Sequence, residues 1–343
     1  MASPEDSTGT KVDITAGTVV DSAAVSVVDG TADGTAAAKS FEDFTRIERG
    51  DEPFEFGKRL LQNPDSVWDH NAWDHVEWDE EQEQIALEKL EKQKEMPVKD
   101  LDRKLYMGNP AKYWDLFYRN NKDNFFKDRK WLQVEFPTLY EKATKADSGR
   151  KVVLEVGCGA GNTLYPVMAN NSNPELEIIG VDFSPRAVEI VRSHEKYDGN
   201  KIRAEVWDLA DPEGRLPAGV EPHSIDFIIL IFVFSALAPD QWAQAVANID
   251  RLLKPGGEVL FRDYGRYDLV QLRFKRERYL QDHFYVRGDG TRVYFFTEEE
   301  LAEIFGRFTV DKIGTDRRLL VNRQKQLKMF RIWLQARFLK PCT

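Results

Sequence analysis

Residues 152–162, Val-Val-Leu-Glu-Val-Gly-Cys-Gly-Ala-Gly-Asn, constrain the fold of this chain more than any other stretch. The apolar run reads as a parallel strand covered on both faces. It passes directly into Gly157, Gly159 and Gly161, a spacing that lets the backbone turn tightly and approach a ligand with no Cβ in the way. A dinucleotide-binding turn needs its third glycine at 162, where Asn162 stands.

An acid before the glycines, Glu155, followed by G-x-G-x-G, has the look of a loop that binds S-adenosylmethionine. Three further strands support that reading. Residues 178–184 form a second buried strand ending in Asp182 and Phe183, and Asp182 lies 21 residues after Gly161. A carboxylate delivered there can accept hydrogen bonds from both hydroxyls of a ribose. Residues 202–209 end in Asp208, placed to accept from an adenine amino group, and Leu209, whose backbone N–H can reach a ring nitrogen. Residues 225–234 make a fourth strand, with Ile231 near its end to pack on the adenine face. Taken singly, each acid would serve equally well as a helix cap. Three strand-terminal features in the correct order, Asp182, Asp208 with Leu209, and Ile231, point to a cofactor site. The turn Lys254-Pro255-Gly256-Gly257 ends a helix before a fifth strand. The alternation predicts an α/β fold: a class I S-adenosylmethionine-dependent methyltransferase, Rossmann-like and doubly wound, with a mostly parallel seven-stranded sheet and its ligand at the carboxyl ends of the strands.

Composition narrows the setting. A hydrophobic content of 42% supplies a full core. No run approaches the roughly 18 apolar residues of a membrane span. The two cysteines, Cys158 and Cys342, offer neither a disulfide framework nor metal-binding spacing, which fits a reducing compartment and predicts a cytoplasmic protein without a metal. The net charge of −10 is unevenly shared: residues 1–100 hold 24 acidic and 10 basic side chains, and the remainder 34 and 38. The later part is therefore mildly basic, and phosphate binding depends on local clusters rather than whole-chain charge.

The chain divides into three. Residues 1–40 lack a core pattern and are expected to be a disordered tail, too poor in arginine and too rich in aspartate for a mitochondrial transit peptide. Residues 41–109 form an acidic, aromatic and helical arm, including a charged helix over 80–95 with a solvated face. Residues 110–343 are expected to hold the catalytic domain, with an RNA-binding insert at 265–296 and a basic C-terminal strand region.

Several aromatic and basic groups suit an RNA base. Trp114 and Tyr118 are four apart and share a helix face that can cover the cofactor. Phe125, Phe126, Arg129 and Trp131 offer stacking planes beside a cation. Arg262, Asp263 and Tyr264 fall at the end of the fifth strand, and a basic helix bearing Arg273, Lys275, Arg276 and Arg278 is expected next. Gly288-Asp289-Gly290 marks a hairpin flanked by Arg287 and Arg292. Thr297 and Glu300 read as a capping box. Residues 317–340, with Arg318 and Arg323, carry eight basic side chains and no acid. They are read as a phosphate-backbone surface with a late strand over 328–334.

These segments resemble the eukaryotic tRNA N3-methylcytidine methyltransferases, most closely the branch of methyltransferase-like protein two, from about residue 55 to the C-terminus. The resemblance is carried by His70-Asn71-Ala72-Trp73-Asp74, Phe125-Phe126-Lys127-Asp128-Arg129, Asp182-Phe183-Ser184-Pro185, Arg262-Asp263-Tyr264-Gly265 and the hairpin around Arg287. It implies methylation of cytidine N3 at position 32 of the anticodon loop of threonine tRNAs, and in some members of arginine tRNAs, with a possible tRNA-selecting partner protein. It also implies cofactor contacts from Trp114, Tyr118, Gly157, Asp182, Asp208, Leu209 and Ile231. Because methylation leaves the base cationic, Asp263 is the candidate to stabilise developing charge. Tyr264 and Phe126 would frame the base, and Arg129 would orient it or a phosphate. Residues 230–233, Leu-Ile-Phe-Val, lack the Asn/Asp-Pro-Pro-aromatic motif of exocyclic-amine methylation. Two rival readings are compatible with the same fold: a small-molecule or protein methyltransferase, and a non-catalytic RNA or cytoskeletal scaffold.

Overall fold

The computed structural model describes residues 59–342 apart from Asn124. The tail expected over 1–40, and Phe41, Phe54 and Phe56 of the arm, lie outside these residues. Asn63 caps a 3-10 turn at Pro64–Trp68, after which the chain enters β1 (Ala72–Asp74). Asp79 caps α1 (Glu80–Lys94), which has acids in its first turn and lysines in its last, matching the helix dipole at both ends. Only Ala86, Leu90 and Gln93 of α1 are buried. α2 (Asp100–Gly108) leads into α3 (Pro110–Asn121), which begins with an Asn109 cap and Pro110. The short helices α4 (Leu132–Glu135) and α5 (Pro137–Ala143) precede the sheet.

The parallel core follows as β2 (Lys151–Val156), α6 (Leu164–Ala169), β3 (Leu176–Asp182), α7 (Pro185–Arg192), β4 (Ile202–Val206), β5 (Ile225–Ile231), α8 (Trp242–Leu252) and β6 (Leu253–Tyr264). β2, β3 and β5 are buried along nearly their whole length, because helices cover both sheet faces. Beyond β6 come α9 (Leu269–Leu272) and three short strands, β7 (Tyr279–Gln281), β8 (Phe284–Val286) and β9 (Arg292–Tyr294), forming a small antiparallel sheet. α10 (Glu298–Ile304) opens with the expected reciprocal Thr297–Glu300 cap. The chain ends in a long hairpin, β10 (Thr309–Asn322) and β11 (Leu327–Leu339).

Strand order in the large sheet is β1-β10-β11-β6-β5-β2-β3-β4, with β1, β10 and β11 antiparallel. It has eight strands, one more than the seven expected. The arm supplies the extra strand: Ala72 pairs with Leu320 and Asp74 with Arg318. It covers Arg318–Leu320 of the outer edge of β10. Trp73 anchors the added strand, buried and donating its indole N–H to the Val67 carbonyl at 2.9 Å. The basic helix expected over 273–278 does not form. α9 stops at Leu272, and Phe274 turns inward to stack on Tyr285 at 4.7 Å, which pulls the following residues into a turn. Trp333 of β11 pairs with Tyr264, the last residue of β6, while β11 begins at Leu327. The β10–β11 hairpin therefore projects about 20 Å past the carboxyl edge of β6 at 3.3 Å per residue.

Candidate cofactor and substrate site

The glycine turn after β2 has no room for side chains. Gly157, Gly159 and Gly161 have φ of 63°, 53° and 86°. A Cβ on Gly157 would lie 2.5 Å from Val233 Cγ2, and one on Gly159 would lie 2.6 Å from the Tyr118 hydroxyl. On Gly161 it would meet the Tyr165 ring at 2.6 Å. The turn is held open by the end of β3: the Gly159 N–H donates to Asp182 Oδ2 at 3.1 Å, and the Ser184 N–H to Asp182 Oδ1 at 2.9 Å. Burial pushes the Asp182 carboxyl up to about 6. From α3, Trp114 and Tyr118 come over the turn with their rings stacked 6.2 Å apart. Phe183 is half-buried beside Asp182, and Leu209 and Ile231 are buried. Asp208 is half-buried, with its Oδ1 accepting the Ala210 N–H at 2.9 Å. All the residues expected to hold the cofactor thus gather at the carboxyl edge of β2, β3, β4 and β5.

Glu155 lies beneath the same turn and is buried. Its Oε1 meets Arg129 Nη1 at 3.1 Å, the Thr163 hydroxyl and the Leu164 N–H lie close enough to favour its charged form, and its Oε2 makes no hydrogen bond of ordinary geometry. Burial pushes this carboxyl up to about 7, against the pull of Arg129. Arg129 also donates to Thr163 Oγ1 at 2.8 Å, and its backbone N–H bonds the Asn162 carbonyl at 2.9 Å. It therefore braces the glycine turn, and the expected contact to a base or phosphate is corrected. An unsatisfied buried carboxylate oxygen calls for a donor or cation. Together with a cradle that any Cβ would fill, it fits S-adenosylmethionine, whose methionine moiety carries an ammonium group.

The substrate side is built differently. Tyr264 is buried, packs on Phe232 at 5.0 Å and lies under the Arg287 guanidinium at 5.5 Å. Phe232 has φ of 56°, a strained conformation for a bulky residue and of a kind that clusters at active sites. Phe126 stays half-buried, edge-on to Phe125 at 4.9 Å. Asp263 is fully buried. Its two oxygens accept the Ser235 and Tyr264 N–H groups at 2.9 and 2.8 Å, and burial pushes it up to about 6. It braces the turn after β5 and does not present its charge to the cleft, which corrects the direct contact expected of it.

Two further expectations change. Arg262 is buried and pairs with Glu135 and Asp316, each at 2.8 Å, between the Trp131 and Trp333 rings. Arg292 is buried and donates to the Ala236 carbonyl at 3.0 Å and to Gln241 Oε1 at 3.2 Å, with burial lowering it to about 10. Both are internal braces and not phosphate contacts. Arg318 is half-buried and close to Asp74 and Asp316 at 3.6 and 3.4 Å. Arg323 is exposed on the hairpin tip. Sequence reasoning overlooked Val233, Ser235 and Asp115, although Asp115 stands one helical turn before Tyr118 and carries the positional signal. A cavity of about 250 Å³ opens at the opposite, amino edge of the strands, where Arg203 pairs with Glu177 and Lys254 with Asp226. It is separate from this site. Among the described residues no His, Cys, Asp and Glu cluster could hold a metal, and no helix is long and apolar enough to cross a membrane.

Fold and cradle define an S-adenosylmethionine-dependent methyltransferase of class I, and residues 154–259 match the family described as a methyltransferase domain. The chain belongs to the tRNA N3-methylcytidine methyltransferases. A tRNA N(3)-methylcytidine methyltransferase of Schizosaccharomyces pombe is 51% identical over 286 residues, covering 83% of this chain and 92% of that protein. The human tRNA N(3)-cytidine methyltransferase METTL2B is 39% identical, with 84% of this chain and 94% of the relative covered. A tRNA(Thr) (cytosine(32)-N(3))-methyltransferase of Saccharomyces cerevisiae is 58% identical over 305 residues. That match covers 88% of this chain but only 48% of the yeast protein, so the chain spans about half of that relative's length.

Proposed function

We propose that this protein methylates N3 of cytidine 32 in the anticodon loop of threonine tRNA, with arginine tRNAs as a second substrate class. The observation that carries the reading is the 58% identity to a yeast enzyme named for that base in that tRNA. The identity extends over 305 residues, well beyond the 154–259 span of the general methyltransferase domain. When bound, S-adenosylmethionine supplies an electrophilic methyl group. Cytidine N3 carries an in-plane lone pair at neutral pH, so the protein has no proton to remove and its task is positioning. In this reading Tyr264, Phe232 and Phe126 frame the unstacked base. Arg287 sets the position of Tyr264, and Asp263 holds the Ser235 and Tyr264 amides. N3 lies within the Watson–Crick edge, so the target must be unpaired, as a loop cytidine is.

Arg318, Arg323 and the projecting β10–β11 hairpin are assigned to the anticodon stem, and a tRNA-selecting protein is proposed as a partner. The protein is placed in the cytoplasm, in keeping with its two free cysteines. Single-turnover methylation of an unmodified threonine tRNA transcript tests the central claim. Methyl incorporation that disappears when cytidine 32 is replaced by uridine is expected. Equal incorporation into the uridine variant, or none into either RNA with or without added cell extract, removes the assignment.

A further inference from the structure

We propose that Asp115 is a positioning residue for the cofactor, the latch that holds α3 closed over the glycine turn. Asp115 takes no place in the cradle itself and is half-buried on α3 between Trp114 and Tyr118. Its Oδ1 accepts the Ser184 hydroxyl proton at 2.5 Å and lies 3.5 Å from the Arg186 N–H. Ser184 has a second duty, because its Oγ accepts the Ala187 N–H at 3.2 Å as the cap of α7. With its proton on Asp115 and a lone pair on Ala187, that hydroxyl has one orientation available.

The contacts close into a ring. Asp115 holds Ser184, the Ser184 N–H donates to Asp182, Asp182 accepts the Gly159 N–H, and Tyr118 fills the space above Gly159. Tyr118 returns the ring to α3, three residues after Asp115 and on the same side of the helix. One helical turn therefore grips both ends of the bracket that carries the ribose acid and the glycine turn. Among the described residues the Asp115–Ser184 contact is the side-chain hydrogen bond that α3 makes to this bracket: Asn109 caps its own helix, and Asn121 bonds the Phe117 carbonyl within it. Without the latch, Trp114 and Tyr118 keep their apolar contacts but lose the hydrogen bond that fixes their height over the cofactor. A weaker cofactor complex on an intact fold should follow.

The inference concerns the cofactor alone and can be tested without RNA. Calorimetric titration of the full chain with S-adenosylhomocysteine, together with thermal unfolding of the ligand-free protein, provides the readout. Asp115→Ala is expected to weaken binding about tenfold or more, the scale of one hydrogen bond to a charged group. Asp115→Asn, whose amide oxygen can still accept from Ser184, should recover most of that loss. Asp115→Ala combined with Ser184→Ala should bind no worse than the weaker single variant, since both remove one contact. The midpoint of ligand-free unfolding should move little for the Asn variant. Unchanged affinity in Asp115→Ala overturns the proposal, as do an Asn variant that binds as weakly as Ala and fully additive losses in the double variant.

Discussion

The two halves of the large sheet use charge in opposite ways. In the half made by β2, β3 and β4, the groups turned toward the ligand hold one another: Gly159 and Ser184 donate to Asp182, and the free Oε2 of Glu155 waits below. In the half made by β6, β10 and β11, most of the cations that look suited to phosphate are consumed inside the protein. Arg262 is bound by Glu135 and Asp316, and Arg331 by Asp268 at 2.9 Å. A buried guanidinium is tolerated only with carboxylates around it. A run of arginines in a strand is therefore as compatible with an ionic core as with an RNA surface, and only the pairing across strands decides which.

The largest effect tests that contrast directly. Arg262→Leu takes from Glu135 and Asp316 the buried cation they share and leaves only the half-buried Arg318, 3.4 Å from Asp316, nearby, and Glu135 is already held above the ordinary range by burial despite Arg262. Removing one member of a buried pair costs about 3–5 kcal/mol, so unfolding in the absence of RNA should fall by on the order of 10 °C. An arginine that served phosphate would leave the melting temperature alone and weaken RNA binding only. An unchanged melting temperature would restore Arg262 to the substrate side.

That outcome bears on what the sequence makes legible. The parallel core could be read almost strand by strand, because a buried parallel strand is a continuous apolar run and its ligand groups sit at its own end. Gly157, Asp182 and Asp208 are local signals of that kind. The roles of Arg129, Arg262 and Arg292 are not legible in the sequence because their partners lie far away in the chain: Glu155, Asp316 and Ala236 are 26, 54 and 56 residues distant. Asp263 failed for a related reason. Its position at the end of β6 was foreseeable, but the Ser235 N–H that occupies its carboxylate belongs to a turn with no sequence signature. The eighth strand was invisible because three residues, Ala72–Asp74, are too short to show alternation and become a strand only beside β10.

The cofactor half should show its character in pH. Burial places Glu155 at about 7 and Asp182 at about 6, both above ordinary carboxylates. Folding thus raises these pKa values, so between about 4 and 7 the ligand-free folded protein binds more protons than the unfolded chain, and these groups make stability fall as pH rises. Affinity moves the other way, because the ionised Glu155 is the form that attracts an ammonium group. Binding of S-adenosylhomocysteine should tighten several-fold from pH 6 to 8 and level off above that, and Glu155→Gln should flatten that profile. A wild-type profile independent of pH would remove Glu155 from the cofactor contact.

The smallest effect belongs to the hairpin tip, and it separates the one exposed candidate from its buried neighbours. Arg323 is exposed, and its nearest polar partner is the Asp69 carbonyl at a long 3.4 Å, so the fold asks little of it. It stands on a hairpin that projects past β6 toward the substrate side, close to Lys325 and Lys328. A cation in that position meets phosphate without losing its hydration, and its contribution comes mainly from displaced counterions. Arg323→Ala should leave the melting temperature unchanged and lower affinity for threonine tRNA only a few-fold at moderate salt. It should also reduce the slope of log affinity against log salt by about one, the signature of a single phosphate contact. Titrations at several salt concentrations with wild type and variant measure both quantities. An unchanged slope moves the RNA path off the hairpin tip, whereas a lost melting temperature would place Arg323 with Arg262, as a cation the protein keeps for itself.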